Sequence, residues 1–226
     1  MREYRRHDML NISFAGRSRI FYELIAQKSD IPVKILSDVM LVRYNRSYIP
    51  AIVRRGEHAP YGFLNVGFSC PQTFNNNRVR IASAVKDDEI LDLISPYVLP
   101  FCEYEPRNGS LHAAKDVAGL PETRSGQVGI VGSAAMEIVT GCHYTNGDSD
   151  LDIIIKDRNL NEISETYTNL MQIGQARGVS VDIEIQLKNG YGIKAQELFI
   201  GSHTLLGKSL FDVQLLERAE VINLLQ

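Results

Sequence analysis

Apolar and polar positions alternate most regularly in the second half of the chain. "LDIIIK" at 151–156 is an almost unbroken apolar run, and "VSVDIEIQLK" at 179–188 alternates residue by residue. Both patterns predict strands. A period of two sends Val181, Ile183, Ile185 and Leu187 to one face and Asp182, Glu184 and Gln186 to the other. Between these runs, Leu160, Ile163, Tyr167, Leu170 and Met171 recur at helical spacing. Asn159 or Asn161 stands where such a helix needs a cap, and Gly178 where it must end. Upstream, "VGIVG" at 128–132 predicts a strand, and Ser133 to Thr140 a short helix closed by Gly141. Downstream, "NGY" predicts a turn and "IKAQELF" a short strand or helix. A final helix is expected from Phe211 to Leu225, with Leu215, Leu216, Ala219 and Ile222 facing inward.

The first half carries weaker periodicity. Phe21, Leu24 and Ile25 suggest a helix that Pro32 ends, while "MLVRY", "YIPAIVRRG", "GFLNVGFSCP" and Val79 to Ser83 suggest strands. "KDDEILDLISPYVL" reads as a helix with Ile90, Leu93 and Ile94 on one side and a break at Pro96. Residues 105–126 are polar and rich in Gly, Pro and Ser, which predicts a connection with one helical turn near Leu111 to Val117. The expected class is α+β. A smaller, β-rich N-terminal α+β domain (1–110) would be joined by a linker (111–126) to a second domain (127–226) built on a mixed sheet flanked by helices.

Composition narrows the function classes. The 226 residues carry a formal charge of −3, without the basic excess of a general nucleic-acid binder. Arg54 with Arg55 and Arg78 with Arg80 are small local exceptions. Cys70, Cys102 and Cys142 are odd in number and widely spaced, which indicates neither a disulfide framework nor a zinc motif. The charged opening lacks the apolar core of a signal peptide, and no apolar stretch is long enough to span a bilayer. A cytoplasmic protein with no membrane or nucleic-acid partner is expected.

The candidate chemistry lies in "TNGDSDLDIII". Asp150 and Asp152 share a strand face about 7 Å apart, and Asp148 joins them if the strand reaches back. Two carboxylates on one side suit magnesium, which completes an octahedral oxygen shell with water and phosphates. Asp182 and Glu184 repeat the spacing, and one of them supplies a third acid if the two strands are neighbours. Gly132-Ser133, at a strand-to-helix turn, offers backbone N–H groups to phosphate oxygens. Each feature also has an ordinary reading: a solvated turn for the acids, a helix cap for Ser133, surface charge for the arginines.

The stretch "VGIVGSAAMEIVTGCHYTNGDSDLDIIIK" resembles the motif of the nucleotidyltransferase superfamily, in which Gly-Ser, a short helix and Asp-x-Asp share a pocket. Thr140-Gly141, Tyr144 and Ser149-Asp150-Leu151-Asp152, at their spacing from Gly132-Ser133, narrow the resemblance. They are similar to the phosphoribosyl-dephospho-CoA transferases, also called malonate decarboxylase holo-acyl-carrier-protein synthases. Arg6-His7-Asp8-Met9-Leu10, "IVRR", "NVGFSCP", Arg78 with Arg80, "VDIEIQLKNGYGIKAQELF" and Lys208 resemble further blocks of that family. One departure stands out. The family commonly carries an aromatic residue, usually Trp, in the helix after Gly-Ser; this chain has Met136 there and no Trp at all.

The resemblance implies transfer of a phosphoribosyl-dephospho-CoA group from its triphosphate precursor to a serine of the acyl-carrier protein subunit of malonate decarboxylase, with loss of pyrophosphate. It implies Asp150 and Asp152 as magnesium ligands and Glu184 or Asp182 as the third acid. Gly132, Ser133, Tyr144, Lys208, Arg54, Arg55, Arg80 and His7 are the expected substrate-binding residues. Two other readings stay open: a nucleotidyltransferase acting on another protein or small-molecule hydroxyl, and a non-catalytic carrier-protein or nucleotide-binding module.

Overall fold

The computed structural model describes residues 3–44, 47–56, 59–74, 77–156 and 158–226. These divide into two compact units, one reaching to Ser95 with Val139–His143, the other formed by Pro96–Ile138 and Tyr144–Gln226. The fold is α+β, with an antiparallel sheet in the first unit and a larger mixed sheet flanked by helices in the second.

The first unit contains β1 (Met9–Ile12), α1 (Phe14–Ala26), α2 (Val33–Leu41), β2 (Ala51–Val53), β3 (Phe63–Phe74), β4 (Asn77–Lys86) and β5 (Ile90–Ile94), with sheet order β4-β3-β2-β1-β5. Ser13 starts α1 by accepting the Gly16 N–H on its hydroxyl. The core gathers Leu10, Ile20, Leu36, Met40, Ile49, Val66 and Phe68. Fully buried Arg17 lies among them. Its guanidinium donates to the carbonyls of Ile12, Val39, Met40 and Ile49, so it stitches β1 and the end of α2 to the segment before β2.

Two expectations for this unit are corrected. The helix expected over 86–99 is a 3-10 turn (Asp87–Glu89), strand β5 and a second 3-10 stretch (Pro96–Phe101). Six residues between a turn and a proline are too few to stabilise a helix, and pairing of Met9 with Ile94 and Leu10 with Leu93 satisfies their backbone instead. The strand expected at "MLVRY" begins as the end of α2, Met40 and Leu41, and keeps only an isolated bridge between Arg43 and Tyr48. Pro32 opens that helix rather than only closing the previous one, and Leu36, Val39 and Met40 form its buried stripe.

The second unit contains α3 (Gly109–Val117), α4 (Pro121–Arg124), β6 (Val128–Ile130), α5 (Gly132–Thr140), β7 (Leu151–Lys156), α6 (Leu160–Arg177), β8 (Val181–Gln186), β9 (Gly192–Lys194), α7 (Ala195–Phe199), β10 (Thr204–Lys208), β11 (Val213–Glu217) and α8 (Arg218–Leu224). The sheet order is β11-β10-β9-β8-β7-β6, and β7 and β8, joined through α6, are its parallel pair. Asn159 caps α6 through the Glu162 N–H, and Gly178 ends it in the left-handed region. Ile153, Ile155, Ile183 and Ile185 are buried on one sheet face, where α3 packs on β7 and α6 on β8.

Three details of the second unit differ from the sequence reading. The segment read as a connection holds two helices. Asn108 caps α3, whose buried face of Leu111, Ala113, Ala114 and Val117 is too alanine-rich to stand out as a stripe. The buried stripe of α6 is Ile163, Thr166, Leu170 and Gly174, while Met171 is exposed. The expected 211–225 helix is half strand. The Ser209 hydroxyl accepts the N–H groups of Phe211 and Asp212, which makes a tight hairpin between β10 and β11 and leaves only Arg218–Leu224 helical. Leu215 and Ala219 are consequently exposed, and Leu216 faces inward.

Candidate functional site

The site assembles where β6 turns into α5 beside the start of β7. The Val131 N–H donates to the Asp152 carbonyl at 3.0 Å, which brings the turn against the acidic strand. Gly132 follows with φ 66°, a left-handed conformation that favours glycine. A Cβ there would lie 2.7 Å from Asp152 Cγ and overlap its carboxylate oxygen. The glycine is thus required both by the turn and by the closeness of the carboxylate. Ser133 is half-buried in the first turn of α5.

Asp150 is exposed just before β7, its carbonyl fixed by the Ser110 hydroxyl at 2.8 Å, and Asp152 is the second residue of the strand. Across the parallel pair, Asp152 is in register with Asp182 and Ile154 with Glu184. Residues in register face the same way on strands about 4.8 Å apart, so Asp182 is the lateral neighbour of Asp152 and Glu184 lies one pleat further on. Among the described residues, no cluster of three or more His, Cys, Asp or Glu is already arranged around a metal position.

Lys194, not foreseen from the sequence, reaches into this acidic row. It pairs with Glu184 across β8 and β9, and its Nζ lies 2.9 and 3.2 Å from the two Asp182 oxygens. The hydrogen bond to Asp182, reinforced by the fields of Asp182, Glu197 and Asp152, holds its ammonium above the ordinary lysine pKa. Only the β8–β9 register exposes this role; the short "GIK" carries no sequence signal. Lys208, opposite Gly192 on β10, lies on the same sheet face by alternation.

A second unforeseen residue holds the loop that delivers the acids. Glu137 on α5 is 7% exposed among buried Ala134, Ala135, Met136 and Ile138. Its Oε1 accepts from Arg107 Nε at 2.5 Å. Its Oε2 accepts from Arg107 Nη2 at 3.1 Å, the Tyr144 and Thr145 N–H groups at 2.9 and 2.8 Å, and the Thr145 hydroxyl at 2.7 Å. Burial pushes the carboxyl up, but the bonds from Arg107 and Thr145 more than offset this and hold it below its usual range. Asn108, which caps α3, also donates to the Thr145 hydroxyl at 2.7 Å. A turn around Asn146 and Ser149 then leads to Asp150. A lone carboxylate in an apolar helix, "SAAMEIVT", was the available signal.

The remaining expected residues are distributed as follows. Tyr144, in the second unit, is 2% exposed. His7, Arg54, Arg55 and Arg80 lie in the first unit. His7 adopts a left-handed φ of 72° in the turn before β1, beside buried Asp8, whose carboxylate accepts the Arg5 N–H at 2.8 Å. Burial raises the Asp8 pKa. Arg54 and Arg55 are exposed after β2, and Arg80 is exposed on β4 opposite Ser69.

Comparison with known proteins covers nearly the whole chain. The family model described as the phosphoribosyl-dephospho-CoA transferase MdcG C-terminal domain matches residues 104–219, and that of the MdcG N-terminal domain matches residues 5–96. A phosphoribosyl-dephospho-CoA transferase of Bradyrhizobium diazoefficiens is 26% identical over 219 residues, covering 96% of this chain and 92% of the relative. A protein of the same name from Xanthomonas axonopodis pv. citri is 26% identical over 179 residues, covering 76% of this chain and 80% of the relative. No solved structure matches the chain.

Proposed function

Because this chain belongs to the phosphoribosyl-dephospho-CoA transferase family, we propose that it transfers a phosphoribosyl-dephospho-CoA group from a triphosphate precursor to a serine of an acyl-carrier protein. The observation that carries this reading is the closeness of the Gly132 turn to Asp152, which sets the first turn of α5 beside the acidic strand.

Magnesium fits the donor set. It needs one or two carboxylates and fills the rest of its shell with water and substrate phosphates, so a closed protein cage is not required. Asp150 and Asp152 would hold it, with Asp182 or Glu184 as the third acid; the register of Asp182 with Asp152 supports Asp182. When bound, magnesium supplies charge neutralisation on the triphosphate.

The chain's own groups do the rest. The N–H groups at the start of α5 and the Ser133 hydroxyl hold phosphate oxygens, helped by the positive end of the helix. The acceptor serine oxygen attacks the α-phosphorus, the bond from that phosphorus to the leaving pyrophosphate oxygen breaks, and the serine proton passes to a carboxylate of the row. Lys208 neutralises the leaving pyrophosphate. For His7, Arg54, Arg55 and Arg80 the reading assigns binding of the donor or of the carrier protein. The carrier in this reading of the chemistry is the acyl-carrier subunit of malonate decarboxylase.

The test is intact mass of candidate apo-carriers incubated with magnesium and the triphosphoribosyl-dephospho-CoA donor. Gain of one phosphoribosyl-dephospho-CoA group is expected, and it should be abolished in Asp150→Ala and Asp152→Ala proteins that keep the wild-type circular dichroism. Transfer of a simple nucleotide to another hydroxyl, with no carrier modified, would point to a different nucleotidyltransferase.

A further inference from the structure

We infer that Lys194 is an exchangeable internal cation of the acidic row: it neutralises Asp182 while the site is free of metal, and moves to the phosphate chain when a metal–triphosphate enters. The inference rests on the metal–triphosphate reading of Asp150 and Asp152 given above.

Three observations carry it. Lys194 Nζ contacts both Asp182 oxygens, at 2.9 and 3.2 Å, so its charge is centred on the carboxylate nearest in register to Asp152. The Lys194 and Asp182 side chains are 49% and 45% exposed. An ion pair so open to water is held weakly and breaks at little cost. The backbone of Lys194 is fixed by its place in β9 and at the start of α7, which leaves the four-carbon stem to reposition the ammonium.

The electrostatics then favour an exchange. Asp150, Asp152, Asp182 and Glu184 bring four carboxylates to one strand pair, and a triphosphate adds more negative charge. Lys194 offsets one of those charges at rest. A divalent cation held by Asp150 and Asp152 repels the ammonium and replaces it as the neutralising charge beside Asp182. The displaced ammonium meets its new counter-charge in the phosphate oxygens that arrive with the metal. The same lysine therefore lowers affinity for the bare metal and raises affinity for the metal-bound triphosphate, two opposite effects that a merely structural lysine would not produce.

The experiment measures Mn2+ binding by the loss of the free-ion paramagnetic resonance signal, and inorganic tripolyphosphate binding in the presence of Mn2+. The proteins are wild type, Lys194→Met, Lys194→Gln, Asp182→Asn and the Asp182→Asn/Lys194→Met double variant. Lys194→Met is expected to bind Mn2+ about tenfold more tightly at low salt, since one unit of positive charge is removed a few ångströms from a divalent ion. It should bind tripolyphosphate about tenfold more weakly in the presence of Mn2+. Lys194→Gln, which also lacks the charge, should repeat both changes. In the Asp182→Asn background the effect of Lys194→Met on Mn2+ should shrink, because the lysine is then no longer held at the row. Unchanged or weaker Mn2+ binding in Lys194→Met would overturn the exchange, as would unchanged tripolyphosphate binding. Absence of Mn2+ binding by every protein, with and without tripolyphosphate, would instead sink the metal reading and the exchange with it.

Discussion

Glu137 makes a sharp test of how the acidic loop is held. Glu137→Gln changes one oxygen to an amide and removes the charge while keeping the shape. In the wild type, five hydrogen bonds from Arg107, Tyr144 and Thr145 converge on two carboxylate oxygens, and all five are donated to Glu137. A glutamine has one oxygen to accept them. If that oxygen serves the Tyr144 and Thr145 N–H groups, the amide NH2 faces Arg107, donor against donor. Bonds to a charged group contribute about 1.5–3 kcal/mol each; the Arg107 Nε bond then loses its acceptor, and the other four lose the charge that strengthened them. Arg107 is 34% exposed and recovers part of the loss from water. A net destabilisation of about 2–4 kcal/mol follows from these values.

The assay is urea unfolding, which should show a lower midpoint at unchanged slope at neutral pH. The pH dependence has a definite sign. The folded carboxyl titrates below its ordinary value of 4.5, so its contribution is present above that pH and is lost as pH falls through the lower, folded value. Wild type and variant should therefore converge in stability as acid is added from about pH 4.5 downward. The variant should also transfer more slowly at neutral pH, because Asp150 and Asp152 follow the released loop. A wild-type midpoint with a wild-type transfer rate would refute the argument.

Gly132→Ala should abolish transfer, since the new methyl overlaps the Asp152 carboxylate, and should cost about 1–2 kcal/mol of stability for the left-handed backbone; full transfer by intact mass would contradict this. Arg17→Met should lower stability by about 3 kcal/mol, read from the urea midpoint, because the carbonyls of Ile12, Val39, Met40 and Ile49 lose their shared donor. Arg17→Lys should fall between the two, as a single ammonium cannot span four acceptors. Met136→Trp, which restores the family's usual aromatic at a 2% exposed position, should cost about 1–3 kcal/mol by overpacking unless its neighbours yield; a raised melting temperature would show that they do.

The legible parts of this chain were those whose local pattern already carried its context. Strands β7 and β8 announce themselves by isoleucine content and alternation, and α6 by its period and its Asn159 and Gly178 ends. Gly132-Ser133 with Asp150 and Asp152 was legible as a motif, and the Gly132 contact gives the physical basis for its spacing. What escaped depended on partners distant in sequence. Residues 90–94 have a helical-looking stripe, yet β1 recruits them as an edge strand. Ser209 and Asp212 turn an apparent helix into a hairpin through one hydroxyl. Asp182 and Glu184 were indistinguishable until the parallel register set one beside Asp152. Lys194 and Glu137 gained their roles from side chains 12 and, at most, 30 residues away.

The parallel pair β7–α6–β8 carries its acids at the amino ends of its strands, so α6 returns with its carboxyl end, Arg177 and Gly178, at the same sheet edge where α5 begins. Two helix ends of opposite polarity thus flank that edge, the positive end of the α5 dipole and the negative end of the α6 dipole. The backbone alone therefore sets a potential gradient along that end of the sheet, felt by a charged group before any side chain touches it.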